Sequence, residues 1–171
     1  MSLLIFVLQR QRIIFSKSQM NMRIMTLKKK LLDLQTYATS IADGTVSMND
    51  LLKSPGSMFG RMSIFMMSSH ESALQGANQK MAYMSQIPGA MPQFQDPNQA
   101  QAYQQMMFKS LYDQSREKSS ERETKVLNQQ ETKISSELAD METKLKMFDA
   151  EEEKITAAED KAAQKSAAYV A

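Results

Sequence analysis

Residues 127–169 read LNQQETKISSELADMETKLKMFDAEEEKITAAEDKAAQKSAAY. Apolar or small residues return at every seventh position: Leu127, Ile134, Met141, Phe148, Ile155, Ala162 and Tyr169. A companion row four residues on holds Leu138 and Leu145 before Glu152 and Glu159 interrupt it. A seven-residue repeat held this long is the pattern of a coiled-coil seam. No Gly or Pro follows Pro97, so one helix is predicted over about 97–169, on the order of 100 Å long at the usual helical rise. Asp96-Pro97 supplies its start, with Asp as N-cap and Pro at the first helical position. A half-apolar rod of this length needs other helices to cover it.

The opposite end of the chain carries a matching repeat. Residues 3–42 contain no Gly or Pro, and Phe6, Ile13, Met20, Leu27, Leu34 and Ile41 stand seven apart. Their companions are Arg10, Lys17, Ile24, Leu31 and Ala38, so the second half of this helix has a full two-row seam and the first half a ragged one. Further large residues, among them Leu4, Leu8, Phe15, Met22 and Leu32, lie off the two rows. A stripe that wide belongs to a helix buried on more than one side. Asp43-Gly44 ends it, with Gly44 suited to the left-handed position after the last turn.

Between these ends the chain is broken over 43–57, where Ser47-Met48-Asn49-Asp50 matches a capping box opening a short helical turn through Lys53. Ser54-Pro55-Gly56 stops that turn. A Met-rich helix is predicted over about 58–87, weakened in its middle by Ser68, Ser69 and Gly76. Methionine at Met58, Met62, Met66, Met67, Met81 and Met84 suits an adaptable contact face. Pro88-Gly89 and Pro92 make 88–96 a tip. Beyond it the seam thins, because Leu111 and Tyr112 are followed by Ser115, Ser119 and Arg122, and looser pairing is expected there.

Spans match in pairs: Phe6 to Ile41 equals Leu127 to Ala162 in length, and Met58 to Ile87 equals Pro97 to Val126. The predicted fold is therefore all-α, a single elongated domain in which two successive helices run up and one very long helix returns as an antiparallel coiled-coil hairpin. Charge agrees with this register. Residues 1–40 carry seven basic side chains against Asp33 alone. In the returning helix the acids Asp149, Glu151, Glu152, Glu153, Glu159 and Asp160 come opposite Arg10, Arg12 and Lys17, while Glu137, Asp140 and Glu142 come opposite Lys28–Lys30. Such flanking pairs select orientation more than they add stability.

The composition excludes several chemistries. There is no cysteine, hence no disulfide, thiolate metal site or thiol nucleophile. The single histidine, His70, stands beside Glu71, and neighbours on a helix do not face one way. No HExxH, EF-hand or phosphate-loop spacing occurs. No catalytic residue, metal ligand, cofactor or small-molecule substrate is assigned. A formal charge of +2 and one short lysine run give no nucleic-acid signature. Leu3 to Leu8 is too short to span a bilayer, has no basic residue before it and is followed by no small-residue cleavage site. The chain is therefore expected in the cytoplasm, in a particle, or exported by a route that needs no signal peptide.

What remains is structural. The main expectation is a subunit that assembles with copies of itself and with further subunits of a filament, tube, ring or adaptor layer, with Leu4, Leu8, Phe15, Met22 and Leu32 at the inter-subunit contact. Two other readings stand beside it: an adaptor or chaperone that offers its Met-rich middle to a client helix, and a peripheral membrane protein anchored through residues 3–25.

Overall fold

A computed structural model describes residues 3–42, 46–90, 92 and 94–168, and every regular element among them is helical. Four helices follow in order: α1 (Leu3–Ile41), α2 (Met48–Lys53), α3 (Phe59–Gln86) and the long C-terminal α4 (Pro97–Ala168). The fold is all-α. Gly44 and Tyr169, expected to end α1 and to close the α4 row, lie outside the described residues.

Local chemistry explains the helix ends. Ser47 accepts the Asp50 N–H, and the Asp50 carboxylate accepts the Ser47 N–H at 2.9 Å, a reciprocal pair that starts α2. The Ser54 N–H closes α2 on the Leu51 carbonyl before Pro55 forbids another turn. At α4, the Asp96 carboxylate accepts the Asn98 N–H at 2.9 Å and its carbonyl accepts the Ala100 N–H. Past α3 the chain turns at Gly89, whose φ of 80° suits a residue without a Cβ. Within α1, Thr26 and Thr36 return their hydroxyls to carbonyls four residues back, which keeps these weak helix formers satisfied inside the helix. α3 runs unbroken through Ser68, Ser69 and Gly76, so propensity does not interrupt it.

The chain divides into two compact units, Met1–Leu31 with Thr132–Ala171, and Leu32–Glu131. In the first, the part of α1 before Leu32 accompanies the last part of α4. Among the described residues there, only Ile24, Ile134 and Leu138 are buried, and most other seam-row residues are half-buried. A two-helix unit has little interior, so its apolar side chains are shared between contact and solvent.

The second unit holds the end of α1, all of α2 and α3, and the first part of α4. Its four largest fully buried side chains are Tyr37, Ile41, Met62 and Leu127, joined by Leu34, Val46, Leu51, Met58, Ala73 and Ala77. Small residues let helices approach here. A Cβ added at Gly76 of α3 would come 3.1 Å from the Ser115 hydroxyl of α4, and Ser120 is buried with its hydroxyl donating to the Ile41 carbonyl. The interval after Met106 is thus closely packed at its serines, where looser pairing was expected, because Ser115 and Ser120 meet a glycine and a free helix-end carbonyl.

Candidate functional site

α1 presents two faces in the first unit. On the inner one, Phe6, Ile13, Met20 and Leu27 with Arg10, Lys17, Ile24 and Leu31 are each half-buried or buried. On α4, Ile134 is buried, while Met141, Phe148, Ile155 and Ala162 are half-buried, as are Leu145, Glu152 and Glu159 from the companion row. Leu34, Ile41 and Leu127 continue these rows into the second unit and are all buried.

Ion pairs connect the two inner faces. Lys17 Nζ lies 2.6 Å from Asp149 and 2.6 Å from Glu152. Hydrogen bonds that the ammonium donates to Asp149 and Glu152 hold its pKa above the usual lysine range. Arg23 donates to Glu137 at 2.8 Å and Lys28 lies 3.0 Å from Glu142. Arg10 stands 3.7 Å from Glu159, an ion pair outside hydrogen-bond reach, and its Nε is buried without a partner. From Arg10 through Lys17 to Arg23 the partners descend along α4 from Glu159 to Glu137, and Lys28 steps back to Glu142. Arg12 and Glu151 are exposed and make no ion pair among the described residues, because neither falls on a row that meets the other helix.

The outer face of α1 has a different character. Leu4 is 66%, Leu8 57%, Phe15 64% and Met22 68% exposed, and Met25 reaches 71%. Leu32, at the edge of the second unit, is 62% exposed. These residues keep a seven-residue register of their own. Leu4 and Met25 fall on one row with Gln11 and Ser18, while Leu8, Phe15 and Met22 fall on the next with Lys29. The two outer rows lie roughly 150° around the helix from the inner pair. No acid interrupts this face before Asp33.

The second unit contains a polar cluster that helical periodicity alone does not announce. The Tyr37 hydroxyl donates to Glu123 at 3.0 Å, Arg61 Nε donates to the same oxygen at 2.6 Å, and the guanidinium stands 5.6 Å from the Tyr37 ring centre. Burial, then the Glu123 charge, push the Tyr37 phenol above the usual tyrosine range. Arg61 also donates to Gln130 at 2.8 Å. Tyr37 is three residues past Leu34 and four before Ile41, which is the spacing of one helix face; that was its available signal. Arg61 and Glu123, far apart in sequence, had none. The arrangement ties α1, α3 and α4 together and offers no nucleophile or open coordination position.

His70 is exposed, with Nδ1 2.6 Å from the Tyr112 hydroxyl and the two rings edge-on at 5.7 Å. Its sequence neighbour Glu71 instead accepts from Gln75. An open groove along α4, lined in part by Lys109, Asp113, Arg116, Glu117 and Glu121, mixes both signs of charge and carries no converging set of one type. Among the described residues no group of three or more acids or histidines is placed to hold a metal ion, and no helix is long and apolar enough to cross a membrane. Scans against protein-family models and searches of curated proteins and of solved structures find no match for this chain.

Proposed function

We propose that this chain is a non-catalytic structural subunit whose first unit is an antiparallel two-helix coiled coil, and which assembles with copies of itself through the outer face of α1. The observation that carries the reading is the exposure of Leu4, Leu8, Phe15, Met22 and Met25 in one register. Five large apolar side chains along one side of a helix form more than scattered surface residues, and contiguous patches of this kind mark interaction surfaces. The inner rows and the ion pairs between α1 and α4 support the coiled coil. Knobs from both helices sit at seven-residue spacing, and Lys17, Arg23 and Lys28 each meet an acid from α4. Because the inner face already occupies α4, the outer face is left for another chain.

An adaptor reading has its own support in Ile64 and Met67, both exposed on the Met-rich α3. With Phe59 and Tyr83, α3 exposes four such residues, but no two of them share a seven-residue row as the α1 set does, so the α1 contact is preferred.

Sedimentation velocity and light scattering over a range of protein concentrations test the proposal. Full-length protein is expected to form concentration-dependent large species. Removal of residues 1–15 is expected to abolish them while helicity in the second unit is retained. Protein that stays monomeric at every concentration refutes self-assembly. Truncated protein that still assembles moves the contact elsewhere, with Ile64 and Met67 the next candidates.

A further inference from the structure

The two outer rows of α1 together make a second complete seam. Leu4, Gln11, Ser18 and Met25 alternate with Leu8, Phe15, Met22 and Lys29 in steps of four and three residues, and all of them are exposed. That alternation is what a helix shows toward a single helical partner of the same seven-residue period. The seam is not uniform along its length. Around Ser18 it opens into a groove lined in part by Ile14, Asn21, Met22 and Met25. Ser18, Asn21, Met22 and Met25 stand at i, i+3, i+4 and i+7, the four corners of the hole that a facing side chain enters.

A second copy of α1 has the required period, and its direction decides which residues meet. Two parallel copies in register would stack Lys29 on Lys29 inside the contact, Phe15 on Phe15 and Ser18 on Ser18, an arrangement that like charge and poor fit disfavour. An antiparallel copy that engages the whole seam pairs Leu4 with Lys29, Leu8 with Met25, Gln11 with Met22 and Phe15 with Ser18. The bulkiest side chain of the seam then lies over the smallest. Gln11 enters the groove beside Ser18 and Asn21, whose side chains satisfy its amide. Lys29 falls at the end of the overlap, where its stem covers Leu4 and its ammonium reaches water. On the flanks Arg12 comes opposite Gln19 and Lys28 opposite Val7, so no cation meets a cation.

Resting on the self-assembly reading above, we propose that two copies of this chain pack the outer faces of their α1 helices together antiparallel, about a two-fold axis between Phe15 and Ser18. The overlap from Leu4 to Lys29 runs about 40 Å. Leu4, Leu8, Phe15, Met22 and Met25 are each more than half exposed, and Ile5 and Ile14 beside them nearly so. Covering these side chains takes about 600 Å² per copy, or about 1,200 Å² for the pair, out of water. That is the lower end of the range of specific pairwise interfaces, about 1,200–2,000 Å², so pairing is expected to depend on concentration. A two-fold contact is closed at two copies, and larger species grow from this pair through a second surface of each copy.

The chain has no cysteine, so a disulfide in a single-cysteine variant reports the introduced position alone. Gln11→Cys and Met22→Cys test the pairing, one of them carrying a tag that separates the possible pairs by mass. Both positions are exposed, and circular dichroism is expected to match the wild type. Oxidised as an equimolar mixture at high concentration, the two are expected to give the mixed disulfide pair. Each alone is expected to stay largely unlinked, because two copies of either position lie about 17 Å apart along the axis. Leu4→Cys with Lys29→Cys repeats the test at the end of the overlap, where a lost side chain weakens the contact least. Sedimentation of Phe15→Asp is expected to show smaller species than the wild type. Gln11→Cys that links to itself shows parallel copies, and a wild type that assembles while neither mixture links places the contact elsewhere. Either result refutes the antiparallel pair and leaves self-assembly standing. A wild type that is single at every concentration removes both. Single chains captured by phosphatidylserine-containing vesicles, and not by phosphatidylcholine alone, identify a membrane as the occupant and likewise overturn the proposal.

Discussion

Gly76→Ala asks how closely α3 and α4 approach, and two effects of similar size oppose each other there. Replacing glycine by alanine inside a helix stabilises it by about 1 kcal/mol. Against this, a Cβ at Gly76 would stand 3.1 Å from the Ser115 hydroxyl oxygen and 3.7 Å from its Cβ. The second distance is ordinary contact; the first is a few tenths of an ångström too short. The hydroxyl is held by its bond to the Leu111 carbonyl at 2.9 Å. Turning it aside forfeits that bond, about 1 kcal/mol. The terms nearly cancel, and Gly76→Ala is expected within about 0.5 kcal/mol of the wild type. Gly76→Leu is different, because its bulk meets the Ser115 Cβ as well as the mobile hydroxyl. Overpacking of this kind costs about 1–3 kcal/mol, and a net loss of about 2 kcal/mol is expected. Ser115→Ala added to Gly76→Ala removes the obstructing oxygen, and the pair is expected to be about 1 kcal/mol more stable than the wild type, with clear non-additivity. Urea unfolding followed by circular dichroism measures these proteins together with Ser115→Ala alone, which closes the cycle. A Gly76→Leu chain with an unchanged midpoint and slope would refute the close approach of the two helices.

Leu127→Ala, which empties a fully buried position, is expected to cost about 3–4 kcal/mol, whereas Met147→Ala at an exposed site should stay within about 0.5 kcal/mol; equal effects in urea melts would refute the assigned face of α4. Lys17 titrates above its usual 10.5 in the folded chain. Its contribution is therefore fully present below pH 10.5 and is lost as pH rises through the higher folded value. Asp149→Asn with Glu152→Gln is expected to flatten that alkaline loss in a pH series of melts, and an unchanged slope would count against the pairing. The Tyr37 phenol, raised by burial, is expected to ionise only in an alkaline step above the ordinary tyrosine range. That step should be missing in Tyr37→Phe when phenolate absorbance is followed.

The seven-residue rows were legible because helical periodicity is local. Phe6 to Ile41 and Leu127 to Ala162 declare the sides on which two helices carry apolar residues whatever those sides meet. Helix ends were legible for the same reason: Ser47 with Asp50, and Asp96 with Pro97, act within a few residues of themselves. The outer stripe of α1 could also be read, as apolar residues left after one seam is assigned. Which acid meets which cation could not, since Asp149, Glu151, Glu152 and Glu153 lie within one turn and a half. Only the rotation of α4 about its axis gives Asp149 and Glu152 to Lys17 and leaves Glu151 and Glu153 outside. The packing of Ser115 against Gly76 and the meeting of Tyr37, Arg61 and Glu123 were likewise decided by tertiary structure. Each joins residues tens of positions apart, and a serine or glycine carries no periodic signal by which a neighbouring helix could be inferred.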